Sequence, residues 1–525
     1  MNFANDNRYT SVINELRTKT KNYFKKYSSD KNDTENKHVA SIKNGKILNP
    51  ILMGDYPDPT ILKTDSCWYM THSSFEYTPG LLIWKSKDLL SWTPVNHALN
   101  KYVGSVYAPD MVEVDGHYYI YFAAKKTEGP GFDNWVITTD NIEGEWNDPV
   151  KIKLNKIDPG HIKDMSGNRY LYFANGTRIG LDNSGTKTVG RLEKVYDGWE
   201  IPKNWDIEGF CLEGPKLFHR DGYYYMISAQ GGTAGPYGGH MAVCARTKSL
   251  DEPWENSPYN PLLRTFDKSD RWWSVGHATV FEGRNGKWFV VYHGYENNNY
   301  PLGRQTLMQP IEWTDDGWPV LDVNTPLSPD DFNIKTDDTE TFKLSSLIES
   351  QKLSSNWRFF KEEDYNSRYN IAGDSLVLYS KGSSLSDSSP MLLSTLNNDY
   401  SLEIGMRIEG NVTAGLTMYY NEIYNCALAF SQKGITRYKY GRPESYIKIN
   451  ANANEIRLRM NKCDNIISWY YSTDGKKWVK YPNTVEVSGY HHNVAGGFLS
   501  LLPGVFVFGD GKVTLYDFVY KGLDI

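Results

Sequence analysis

Cysteine is scarce. Cys67, Cys211, Cys244, Cys426 and Cys463 are the only five in 525 residues, and no CxxC pair occurs among them. That excludes a disulfide scaffold and a cysteine-ligated zinc site, and it sets the expectation of reduced thiols in a cytoplasmic protein. No apolar run approaches the roughly 20 residues of a membrane-spanning helix. The first 30 residues are polar and Lys-rich, without the apolar core of a secretion signal. A basic surplus is missing too: the formal net charge of −6 argues against a nucleic-acid partner. HExxH, GxSxG and the P-loop pattern are all absent, which removes zincin, serine-hydrolase and nucleotide chemistry. Long helical periodicity is scarce as well.

What the chain has instead is aromatic residues, including 38 Tyr and 16 Trp, which favour strands and offer flat faces to sugar rings. They recur in order. Five tight turns each lead into an aromatic run: "TDSCWYMTHSS" from Thr64, "DGHYYIYFAA" from Asp115, "SGNRYLYFANG" from Ser166, "DGYYYMISAQGG" from Asp221 and "NGKWFVVYHGYE" from Asn285. Turn pairs followed by aromatic strands read as hairpins. A second marker keeps the same spacing of about 50 to 65 residues, at Trp92, Trp146, Trp199, Trp254 and Trp318, which read as core positions. Several short strands per repeat of this length predict a β-propeller, here with five blades. Beyond it, alternating strands such as "YSLEIGMRIEG" and "VTLYDFVY" predict an antiparallel β-sandwich. The expected fold is thus all-β. It comprises a polar extension over 1–45 with an amphipathic helix around Ser11–Phe24, a propeller over 46–325 and a sandwich over 335–525.

In a propeller, a segment that recurs in every blade converges on one channel. Asp58 lies eight residues before Ser66 in the first turn. Tyr107, Asp158, Glu213 and His277 each lie nine before the turn glycines Gly116, Gly167, Gly222 and Gly286. Buried carboxylates are costly, so three around one axis, where Val or Ala would serve packing, point to chemistry. "GDYPDPT" at 54–60 brackets Asp58 with two prolines, which restrict its backbone. Paired acids suit glycoside hydrolysis, in which one carboxylic acid protonates the leaving oxygen and one carboxylate activates water or attacks. Three acids and a histidine also suit a divalent cation held through oxygen.

Six ordered motifs carry a resemblance: "NPILMGDYPDPTI", "YAPDMVEVDGHYYIYFA", "KIDPGHI", "LEGPKLF", "SVGHATVF" and "GRQTLMQPIEWTDDGWPVL". Together they resemble glycoside hydrolase family 43, especially its β-xylosidases and α-L-arabinofuranosidases, over about 49–325. The C-terminal region is similar to the matching domain of the β-xylosidase branch. The resemblance implies an inverting exo-glycosidase that releases xylose from β-1,4-xylo-oligosaccharides, with Asp58 as base, Glu213 as acid and Asp158 as pKa modulator. It implies substrate-binding roles for Phe75, Tyr107, His277 and Arg304, although Tyr107 stands where many relatives have Trp. No cofactor is implied for the chemistry; His277 is the candidate ligand of a structural Ca²⁺ near the propeller axis. Removal of arabinofuranosyl groups, or both activities in one enzyme, stays open, as does a non-catalytic sugar-binding propeller. The expected partner is an oligosaccharide, with no nucleic acid and no membrane; a homo-oligomer is left open.

Overall fold

The computed structural model describes residues 38–523 except 44–45, 285, 322–326, 328–331, 333–346, 350, 396 and 450–453. The helix expected around Ser11–Phe24 lies outside them. The described chain is almost entirely β: a five-bladed propeller is followed by a sandwich. Each blade is an antiparallel sheet whose first main strand borders the axis. These inner strands are β1 (Thr60–Lys63), β2 (Ser105–Val114), β3 (Gly160–Lys163), β4 (Glu213–Arg220) and β5 (Trp272–Glu282). His38–Val39, within the segment read as an extension, pairs with Ser91–Trp92 and adds an outer strand to the first blade.

The repeat is legible in the backbone. Asp58, Ala108, Asp158, Gly214 and His277 all take positive φ, between 31° and 58°. Proline follows the first four, at Pro59, Pro109, Pro159 and Pro215. A following proline disfavours right-handed helical geometry, and the left-handed region costs a residue with Cβ about 1–2 kcal/mol. The equivalent residues in blades two and four are therefore Ala108 and Gly214, one beyond the Tyr107 and Glu213 that turn spacing had aligned. Tyr107 and Glu213 approach the axis from one position earlier than Asp58, Asp158 and His277.

The sandwich is built on two long strands, β6 (Tyr400–Tyr419) and β7 (Leu502–Gly522), paired along most of their length. Its core includes two propeller side chains, Phe75 and Tyr77, beside Phe359, Phe360 and Tyr419. Tyr77–Thr78 also pairs as a strand with Phe359–Phe360. The sandwich thus buries apolar surface that the propeller supplies. Of the marker tryptophans, Trp92, Trp146 and Trp318 are buried in blade cores. Trp254 packs partly buried against another. Trp199 departs from the core reading: it is half-buried and packs against Trp205.

Candidate active site

Asp58 is mounted on two neighbouring blades. Tyr56 N–H donates to the Arg304 carbonyl at 3.0 Å, and Arg304 N–H donates to Asp55 Oδ1 at 3.1 Å. Asp58 N–H donates to His293 Nδ1 at 3.1 Å. Around the Asp58 carboxylate stand Ser73 Oγ, donating at 2.5 Å, Arg304 Nη1 at 3.4 Å and His277 Nδ1 at 3.2 Å. Burial alone would raise its pKa, but the Arg304 guanidinium beside it holds it well below the usual carboxylate range. Burial also lowers His277 to about 3 and His293 to about 4. Both rings are therefore neutral at pH 7 and Arg304 is the cation beside Asp58; His293 Nδ1 accepts from the Asp58 N–H, and His277 Nδ1 stands 3.2 Å from Oδ1.

The other two acids behave oppositely. Burial and the Asp58 charge push Asp158 up to about 7, against the pull of Lys216 and a 3.1 Å hydrogen bond from Gly214 N–H. Burial and the charges of Asp158 and Asp58 raise Glu213 well above its ordinary value. Ligand-type atoms of Asp158, Glu213 and His277 all lie within 4.8 Å of one another. One channel therefore holds one carboxyl group whose pKa is lowered and one whose pKa is raised, the division of labour acid–base catalysis needs.

These three residues fit Ca²⁺ poorly. The ion takes six to eight oxygens, whereas the cluster offers two carboxyl groups that resist ionisation and one imidazole nitrogen.

The wall is aromatic. Phe75 and Tyr107 meet edge to face at 5.3 Å, and Phe75 exchanges backbone hydrogen bonds with Val106, joining blades one and two. The Arg304 guanidinium lies 5.6 Å from the Phe75 ring and 5.3 Å from Phe498. Phe498 belongs to the sandwich. It stacks on His492 at 3.7 Å, and its loop is tied to the propeller by Leu501 N–H donating to the Pro301 carbonyl at 2.8 Å. All seven site residues expected from sequence are thus linked in one neighbourhood. Phe498, His293 and Ser73 were missed. His293 had a signal, a lone imidazole after the apolar run "FVVY"; Phe498 had none, because only tertiary packing brings its loop to the axis.

The family model described as glycosyl hydrolases family 43 matches residues 47–319, and the beta xylosidase C-terminal concanavalin A-like domain matches 321–520. The chain belongs to glycoside hydrolase family 43. It is 31% identical over 52% of its length to a xylan 1,3-beta-xylosidase from Vibrio sp, covering 57% of that protein. It is 33% identical over 54% of its length to a non-reducing end alpha-L-arabinofuranosidase from Bacteroides ovatus, covering 54% of it. The chain thus spans little more than half the length of these two relatives. The structure of the family-43 protein BlXynB from Bacillus licheniformis superposes with a TM-score of 0.79 at 26% identity, covering 93% of this chain and all of that one. The family-43 chain thus has xylosidases and arabinofuranosidases among its relatives.

If Phe498 closes the family-43 pocket, Phe498→Ala should raise KM for xylobiose by roughly ten- to hundredfold, from the 1.5–3 kcal/mol that burying such a ring against substrate contributes. Steady-state kinetics alongside a melting curve checks this: a large loss of melting temperature with unchanged KM would assign Phe498 to packing alone.

Proposed function

We propose that this enzyme is an inverting exo-glycosidase that releases xylose from the ends of β-1,4-xylo-oligosaccharides. The observation that carries the reading is that acids with unlike surroundings meet on one axis: Asp58 stands 3.4 Å from the Arg304 guanidinium, which lowers its pKa, while Glu213 clusters with Asp158, and burial and that charge raise its own. Asp58 takes a proton from water as the water attacks the anomeric carbon. Glu213 gives its proton to the departing oxygen, so the leaving sugar departs as an alcohol. Asp158 keeps the Glu213 proton in place through like-charge repulsion. Arg304 keeps Asp58 ionised and presents its guanidinium to sugar hydroxyls, while Phe75, Tyr107 and Phe498 wall the pocket.

Removal of α-L-arabinofuranosyl groups is the second reading. The 33% identity to the Bacteroides ovatus arabinofuranosidase supports it. Comparing kcat/KM on nitrophenyl β-xyloside, nitrophenyl α-arabinofuranoside and xylobiose decides between them. Dominant turnover of the two xylosides is the expected result. Dominant turnover of the arabinofuranoside reverses the assignment, and no turnover of any returns the propeller to a binding role.

A further inference from the structure

The segment leading into Glu213 carries aromatic side chains that the chemistry above does not use. Trp205 lies eight residues before Glu213. The Arg264 guanidinium sits 3.8 Å over its ring and is fixed by Nε donating to the Gly238 carbonyl at 2.7 Å. Phe266 meets Trp205 edge to face at 6.2 Å, and Trp199 packs against Trp205 at a tilt, 5.9 Å away. Phe266 is 63% exposed and Phe210, nearer Glu213, is 45% exposed. Single exposed aromatics need no explanation, but a connected series held by a cation is the kind of surface that marks a binding site.

Strand register places the series relative to the chemistry. Glu213 pairs with Ala229, Ala229 with Ala242, and Ala242 with Leu263, so one row crosses the blade from Glu213 to the residue before Arg264. Three strand spacings of roughly 4.8 Å put Arg264 about 14 Å outward from Glu213, at the same end of the blade. A single sugar at the axis cannot span that gap; an oligosaccharide can. The apolar face of a pyranose packs on aromatic rings while its hydroxyls meet flanking polar groups, and Asp206, Asp267 and Asp270 are all exposed here.

We propose that Trp205, Arg264 and Phe266 form a shelf that binds the leaving chain of a linear pentose oligosaccharide, at sugar units beyond the first. The proposal rests on the glycosidase reading for the direction in which the chain leaves, and a binding measurement separates the two. Fluorescence titration with xylotetraose should give a Kd that rises at least fivefold in Phe266→Ala and in Trp205→Ala, whether or not the sugar is cut. In kinetics, the ratio of KM for xylotetraose to KM for nitrophenyl β-xyloside should rise by the same factor. Weaker xylotetraose binding in the variants, with no turnover of any xyloside by the unaltered enzyme, keeps the shelf and removes the reading. Unchanged xylotetraose binding in both variants overturns the shelf, as does a change of every KM by one common factor. Concentration-dependent self-association of the unaltered enzyme, lost in Phe266→Ala, overturns it in favour of a second copy of the chain. Phe266, the more exposed residue, keeps the test decisive if Trp205→Ala fails to fold.

Discussion

Glu213→Ala should nearly abolish cleavage of xylobiose while sparing a measurable share of activity on an aryl xyloside. A general acid matters in proportion to the leaving group's need for a proton, and such catalysis contributes about 10²–10⁴-fold. A xylose hydroxyl departs poorly without a proton; nitrophenolate departs readily. Asp58→Ala removes the group that deprotonates water, a step both substrates share, so both activities should fall together by about 10³-fold or more. The comparison is internal, because each variant is read on two substrates. Equal losses on both substrates for both variants would invalidate the assignment of acid and base. The surroundings of the two residues support it: Asp58 faces Arg304 and two neutral imidazoles, whereas Glu213 faces other carboxyl groups.

Asp158→Asn should move one limb of the pH–rate profile and leave the other. Activity requires ionised Asp58, so the acid limb follows its depressed pKa and lies on the far acid side. Activity also requires protonated Glu213, so the alkaline limb follows its raised pKa. Asp158, pushed up to about 7, is uncharged across the acid limb and gains its charge toward the alkaline side. Replacing it removes a negative charge only where Glu213 titrates. The alkaline limb of kcat/KM should therefore move down by about one unit or more, with the acid limb fixed. A profile that keeps its alkaline limb, or shifts both limbs together, would remove Asp158 from this role.

The propeller was legible because two markers repeat along the chain, and a repeat that stacks into blades must write its period into sequence. The axial acids were legible for the same reason, since the equivalent segment of each blade ends at one place. Turn counting misaligned two blades by one residue. The left-handed residue lies eight positions before the turn residue in blades one, two and four and nine before it in blades three and five, so the shared feature of the backbone is that residue, with a proline after it in four blades, rather than the distance to the turn. Phe498 was not legible. Its loop reaches the axis because Tyr77–Thr78 pairs with Phe359–Phe360 and Leu501 bonds to Pro301, and such long-range packing leaves no local pattern. The proposed aromatic shelf was not legible: Trp199 was read as core by its period, and its neighbour Trp205 falls outside the repeat.

The most direct test of the account is the anomeric configuration of the first sugar released, followed by proton NMR before mutarotation. With Asp58 activating water on the face opposite Glu213, a β-xyloside should yield α-xylose first, with the β-anomer appearing later as the solution equilibrates. β-Xylose as the first product would contradict the account, because it requires an attacking carboxylate and a covalent glycosyl-enzyme in place of a base-activated water.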